Sequence, residues 1–209
     1  SNYQYWLSCR AEEAGSKERS QVWQGQSEPL WEAVLWTGIR EACVRNHPSN
    51  IILIGMPGAG KSTVGVLLAK QTSKDFVDTD VLIQVAEGRL LQDIVDSEGY
   101  LVLRAIEERV LLGLSCCNCV VATGGSAVYS DAAMQHLKTG GMIVFLDVDI
   151  ATLNSRVCDY ETRGLAKRPD QSFAELFEER LVLYRQYADV TVNCIGLTQE
   201  EVCSKIVSG

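Results

Sequence analysis

Gly55-Met56-Pro57-Gly58-Ala59-Gly60-Lys61-Ser62 fits the pattern G-x-x-x-x-G-K-[ST] at every position. The apolar run Ile51 to Ile54 precedes it and reads as a central parallel strand buried on both faces. A segment with helical periodicity, about 60 to 72, follows. Strand, loop and helix in that order are the setting in which such a loop holds phosphate. Gly55, Gly58 and Gly60 let the backbone turn its N–H groups inward towards an anion. The helix starting near Gly60 aims its positive dipole end at the same place. Lys61 puts a point charge between the terminal phosphates, and Ser62 offers a hydroxyl to Mg²⁺. Gly58, Ala59, Gly60, Lys61, Ser62 and Thr63 are therefore the expected nucleotide contacts.

Outward from the loop the chain alternates strand and helix. Further strands are expected at Phe76–Val77, Val120–Ala122, Met142–Leu146 and Val190–Val192. Helical periodicity runs through about 79 to 87, 90 to 114 and 171 to 187. This alternation predicts an α/β fold of the P-loop NTPase type: a three-layer α/β/α sandwich around a five-stranded parallel sheet. Residues 1 to 48 read differently and hold all four tryptophans, Trp6, Trp23, Trp31 and Trp36. Ser27 as N-cap, Pro29 inside the first turn and apolar residues at helical spacing predict an amphipathic helix from about 28 to 46. The chain is thus read as an N-terminal extension, 1–48, followed by one P-loop domain, 49–209.

The 209 residues carry a formal net charge of -8. An acidic chain repels phosphate backbones at long range, which argues against nucleic acid as a partner. No apolar run is long enough to span a membrane. The eight cysteines are scattered. They read as free thiols in a reducing compartment, with Cys116, Cys117 and Cys119 as small apolar residues leading into a buried strand. Cytoplasm is the expected location, with an organelle after transit-peptide removal as the alternative.

Three more constellations bear on chemistry. Asp78-Thr79-Asp80 ends the second strand. Carboxylates two apart in an extended segment point the same way, here at the sheet edge where ligands bind. One can serve Mg²⁺ and the other a substrate hydroxyl, and either can cap the next helix. Arg104 and Glu107 are helix neighbours at i and i+3, so the carboxylate can hold the guanidinium for recognition of an acid. Gly124-Gly125 after a buried strand lets a ligand approach the backbone closely.

Taken together these residues resemble the shikimate kinase family from about residue 50 to the C-terminus. The family pattern is a phosphate loop, Asp-x-Asp, Gly-Glu-x-x-Phe-Arg-x-x-Glu, Gly-Gly-Gly, an arginine-bearing lid, and an Arg a few residues before a Tyr. Here it is met by Gly55–Ser62, Asp78-Thr79-Asp80, Gly99 with Arg104 and Glu107, Gly124-Gly125, Arg163, and Arg180 before Tyr184. The resemblance implies a kinase that uses ATP with Mg²⁺ and acts on shikimate. It implies Lys61, Asp80 and Arg163 as catalytic residues, the last in a mobile lid between about 157 and 170. Asp80, Arg104, Gly124, Gly125 and Arg180 would bind the acid, Ser62 and Asp78 the metal, and Arg156 the adenine. The chain departs from the pattern in the acceptor walls. Ser126 replaces the third glycine, Tyr100 the Glu, Val95 and Leu103 two phenylalanines, and Arg163-Gly164-Leu165-Ala166 the lid's Arg-Pro-Leu-Leu, with Arg168 of the nearby Arg168-Pro169 as the alternative lid arginine.

Two other readings fit parts of the chain. A kinase for another polyhydroxy acid such as gluconate suits the two arginines and the aliphatic wall. A non-catalytic nucleotide-binding module would recruit a partner through the N-terminal helix. A monomer or weak oligomer is expected.

Overall fold

The computed structural model describes residues 49–156 and 164–208. The helix expected at 28–46 and the lid residue Arg163 lie outside them. Five strands form one parallel sheet: β1 (Asn50–Ile54), β2 (Asp75–Asp78), β3 (Cys119–Ala122), β4 (Gly141–Asp147) and β5 (Val190–Asn193), in the order β2-β3-β1-β4-β5. β1 is central, with Ile52 between Val121 and Ile143 and Leu53 between Ala122 and Val144. Ile52, Leu53 and Ile54 are at most 1% exposed, as a strand covered on both faces requires.

Eight α-helices and a 3-10 turn, Ala127–Tyr129, complete the described domain: α1 (Lys61–Thr72), α2 (Thr79–Glu87), α3 (Leu91–Glu98), α4 (Tyr100–Leu112), α5 (Asp131–Gly140), α6 (Ile150–Arg156), α7 (Phe173–Tyr187) and α8 (Gln199–Ser208). α1 packs with α8 and against β1, β2 and β3, while α5 and α7 pack against β4 and α4 against α5. The result is the expected α/β/α sandwich. Its main core is Ile, Leu and Val from the sheet with Val64 and Leu68 of α1, Met134 and Leu137 of α5, and Leu176 and Tyr184 of α7. A second cluster, Ile83, Ile94, Leu103, Ile106, Val110 and Ala166, joins α2, α3 and α4 beside the sheet.

One expected helix, 90 to 114, is two. Gly99 has φ 88 and ψ 164, so α3 ends there and α4 begins. Apolar periodicity continues across the break because both helices bury one face in the second cluster. Periodicity therefore does not reveal the bend, and a backbone angle that side chains disfavour does. Cys119 is buried at the head of β3, and Cys116, Cys119, Cys194 and Cys203 are free thiols. Cys117 is disulfide-bonded, which corrects the reading of every cysteine as free. No helix among the described residues is long and apolar enough to cross a membrane.

Candidate active site

The phosphate loop joins the carboxyl end of β1 to α1. Gly60, with φ 94, caps α1 in a left-handed conformation that lets the loop enter the helix. The first turn of α1 has no side-chain cap or acidic residue, so its N–H groups face the loop uncompensated. Lys61 folds back over the loop, donating from Nζ to the carbonyls of Gly55 at 2.7 Å and Met56 at 3.0 Å. It is 9% exposed. Burial lowers its ammonium to about 8, against the pull of Asp80.

Asp78, the last residue of β2, caps α2 through Oδ1, which accepts from the backbone N–H of Asp80 and Val81. Its Oδ2 accepts from Ser62 Oγ at 2.6 Å. The expected shared extended segment is only half right, because Asp80 lies in the first turn of α2. The helix turn, not strand alternation, delivers its carboxyl to the cavity. Burial raises the Asp80 carboxyl above its ordinary value, and the Lys61 charge opposes the rise.

Beyond β3, Gly124 and Gly125 form a ledge. A Cβ on Gly124 would collide with Glu107 Oε1 and lie 2.7 Å from Asp80 Oδ1, and one on Gly125 would lie 2.8 Å from Arg180 Nη1. Both glycines thus serve close approach. Gly124 N donates to Thr79 Oγ1 at 3.0 Å, and Tyr184 Oη donates to Gly125 O at 2.7 Å, which fixes the ledge to α2 and α7.

These elements enclose one cavity of about 420 Å³. Gly58, Gly60, Lys61, Ser62 and Thr63 line its phosphate end, with Arg156 at its mouth. Asp80, Glu107, Gly124, Gly125 and Arg180 line the other, closed by aliphatic Ile83, Leu91, Leu103 and Leu165. Ala59, within the loop, is buried and does not line the cavity, and its N–H donates to Met56 O at 3.1 Å. Val95 packs in the second cluster, and Leu91 takes its expected place in the wall. Gln199, at the start of α8, also lines the cavity. Nothing in its local sequence marks it, since it arrives from the far end of the chain.

Arg104 departs from expectation. It stands outside the cavity lining, with its guanidinium 3.5 Å from the centre of the Tyr129 ring. Nor does Glu107 hold it. Ser126 Oγ donates to Glu107 Oε2, and Arg104 Nη2 donates to Ala166 O. Arg180, only 1% exposed, donates from Nη2 to the same carbonyl. Among the described residues three buried side-chain atoms lack a hydrogen-bond partner: Arg104 Nε, Arg180 Nε and Glu107 Oε1. Unpaired buried donors on two cations and an unpaired carboxyl oxygen suit a ligand bearing an acid and hydroxyls. Of the lid, Gly164 N donates to Gln92 Oε1 at 2.7 Å, and Arg168 pairs with Glu179 at 3.6 Å, away from the cavity wall.

The arrangement has close relatives. Residues 57–209 match the shikimate kinase family. A shikimate kinase from Gloeobacter violaceus is 43% identical over 153 residues, covering 71% of this chain and 85% of that protein. One from Sulfurihydrogenibium is 34% identical over 160 residues, covering 76% and 96%. Among solved structures, the shikimate kinase from Acinetobacter baumannii in complex with shikimate superposes with a TM-score of 0.70 at 29% identity, covering 78% of this chain and 93% of that one. The Aquifex aeolicus shikimate kinase gives 0.66 at 36% identity, covering 76% and 94%. With its fold, its phosphate loop and its acceptor ledge, this chain belongs to the shikimate kinase family.

Proposed function

We propose that this chain transfers the terminal phosphoryl group of ATP to a hydroxyl of shikimate, giving shikimate 3-phosphate. One observation carries the proposal: Lys61, Asp80 and Arg180 line a single cavity, the first at its phosphate end and the others at its acceptor end. Membership of the family supports the acceptor.

Transfer asks the protein for alignment and charge neutralisation. The loop N–H groups and Lys61 hold the phosphates. In forming that contact Lys61 exchanges the Gly55 and Met56 carbonyls for phosphate oxygens. Asp80 orients the attacking hydroxyl. Its raised affinity for protons suits it to accept the hydroxyl proton late in the transfer. Arg180 pairs with the acceptor carboxylate, and Arg104, which donates to the same Ala166 carbonyl, adds its charge beside it. Gly124 and Gly125 meet the ring through backbone. Arg156 lies at the cavity mouth, where a guanidinium can stack on adenine. Arg163 keeps the role of lid arginine on sequence position alone.

Ser62 Oγ and Asp78 Oδ2 form a hard oxygen pair beside the loop, which fits Mg²⁺. Ser62 Oγ and Asp78 Oδ2 would hold the ion, since Asp78 Oδ1 is committed to capping α2. Bound there, the ion neutralises phosphate charge.

The test is ADP release with Mg·ATP and a panel of acids, shikimate first and gluconate next. Shikimate-dependent turnover that Asp80→Asn abolishes, with ATP affinity kept, supports the reading. ATP binding without a shikimate response overturns it, in favour of another acid or of a non-catalytic module.

A further inference from the structure

Ser126 stands where the family pattern has a third glycine, and it is 7% exposed. Its hydroxyl donates to Glu107 Oε2. Glu107 is 3% exposed, and its other oxygen, Oε1, has no partner. The space above Gly124 shows where that oxygen faces. A Cβ there would collide with Glu107 Oε1 and lie 2.7 Å from Asp80 Oδ1. Two carboxyl oxygens from different helices therefore look onto one spot over the ledge. A carboxyl group is planar, so fixing one oxygen fixes where the other points. A glycine at 126 has no atom with which to do this.

We propose that Ser126 is a positioning residue for the acceptor: it pins Oε2 of Glu107 so that Oε1 takes the hydroxyl next to the one held by Asp80. Selection of a vicinal diol by this chain then depends on a residue that the glycine pattern lacks. The inference rests on reading the cavity as the acceptor site.

The groups facing Glu107 are Asp80 of α2, Lys61 of α1, Arg180 and Tyr184 of α7, and Ser126 itself. Burial, then the Asp80 charge, push the Glu107 carboxyl up to about 7, and the Ser126 hydrogen bond, Arg180 and Lys61 pull it down. Removing the Ser126 hydroxyl should therefore let Glu107 keep its proton to higher pH and swing free of the ledge.

Two measurements test this on the full chain. The first follows the Glu107 carboxyl carbon by NMR titration of the ligand-free protein, assigned with Glu107→Gln. The midpoint should lie near 7, rise in Ser126→Ala and return in Ser126→Thr. The second is steady-state kinetics with shikimate and with an analogue lacking the vicinal hydroxyl. Ser126→Ala should raise the shikimate KM about five- to tenfold, by more than it lowers kcat, and should shrink the preference over the analogue, with Thr restoring both. A titration unmoved by Ser126→Ala overturns the proposal, as does an undiminished preference over the analogue. Wild-type protein inert towards shikimate would sink the proposed function, while the titration would still decide whether Ser126 holds Glu107.

Discussion

Arg104 and Arg180 donate from their Nη2 atoms to one and the same acceptor, the carbonyl of Ala166, each at 3.0 Å. Two guanidinium groups sharing a neutral oxygen are under-matched, and the Nε of each is left without a partner. Arg180 lines the cavity and Arg104 does not. Arg180→Met is therefore expected to raise the acceptor KM by about 10²-fold, and Arg104→Met by roughly tenfold. ATP KM should move little in either. Steady-state kinetics check the order, and a larger effect at Arg104 would make Arg104 the main partner of the acid's carboxylate.

Lys61 loses its proton unusually early in the free protein, at about 8. Phosphate oxygens replacing two neutral carbonyls favour the charged ammonium, so ATP binding should raise that value. Binding above pH 8 should then take up a proton, and ATP affinity should fall as pH rises through 8 to 9. Calorimetry in buffers of different ionisation enthalpy measures the proton directly. Lys61→Met should show no uptake and lose about 10²- to 10³-fold in turnover.

Gly124→Ala puts a methyl group against Glu107 Oε1 and Asp80 Oδ1, the two oxygens that define the acceptor spot. Acceptor-dependent turnover should fall by at least about 10²-fold, because reacting groups misplaced by 1 Å lose that much. Nucleotide binding, served by a separate loop, should persist. Fluorescent-nucleotide titration beside an ADP-release assay separates the two, and loss of both would indicate that the substitution unfolds the ledge.

Glu107 is raised in the folded chain to about 7 from an ordinary value of 4.5. Between those values the folded state binds more protons than the unfolded one, so stability falls as pH rises from about 4.5 to 7. The loss is at most about 3 kcal/mol. Asp80, also raised, slopes the same way. Glu107→Gln keeps the shape without the charge and should flatten the decline. Urea unfolding at pH 5, 6, 7 and 8 gives the two slopes, and parallel slopes would mean that Glu107 is not the titrating group.

What the sequence determined on its own was local. The run Ile51–Ile54 and the loop Gly55–Ser62 lie together in the chain, so their strand, turn and helix followed from neighbours alone. Asp78 as a helix cap was legible for the same reason. The five strands and their parallel orientation follow from alternation of strand and helix, whereas their order in the sheet came from the structure.

The tertiary structure decided everything that depends on which side chain reaches which. The i, i+3 spacing of Arg104 and Glu107 suggested an ion pair, yet Arg104 turns to Ala166 and Tyr129, 62 and 25 positions along the chain, and Glu107 to Ser126. Gly99 bends what periodicity reads as one helix, because both halves cover the same apolar cluster. Leu91 in place of Val95, and Gln199 in the cavity wall, follow from how those helices pack. Spacing along the chain fixes which partners a residue is able to meet within its own helix or strand. Competition among partners brought close by folding fixes which one it takes, and burial sets how strongly that choice counts.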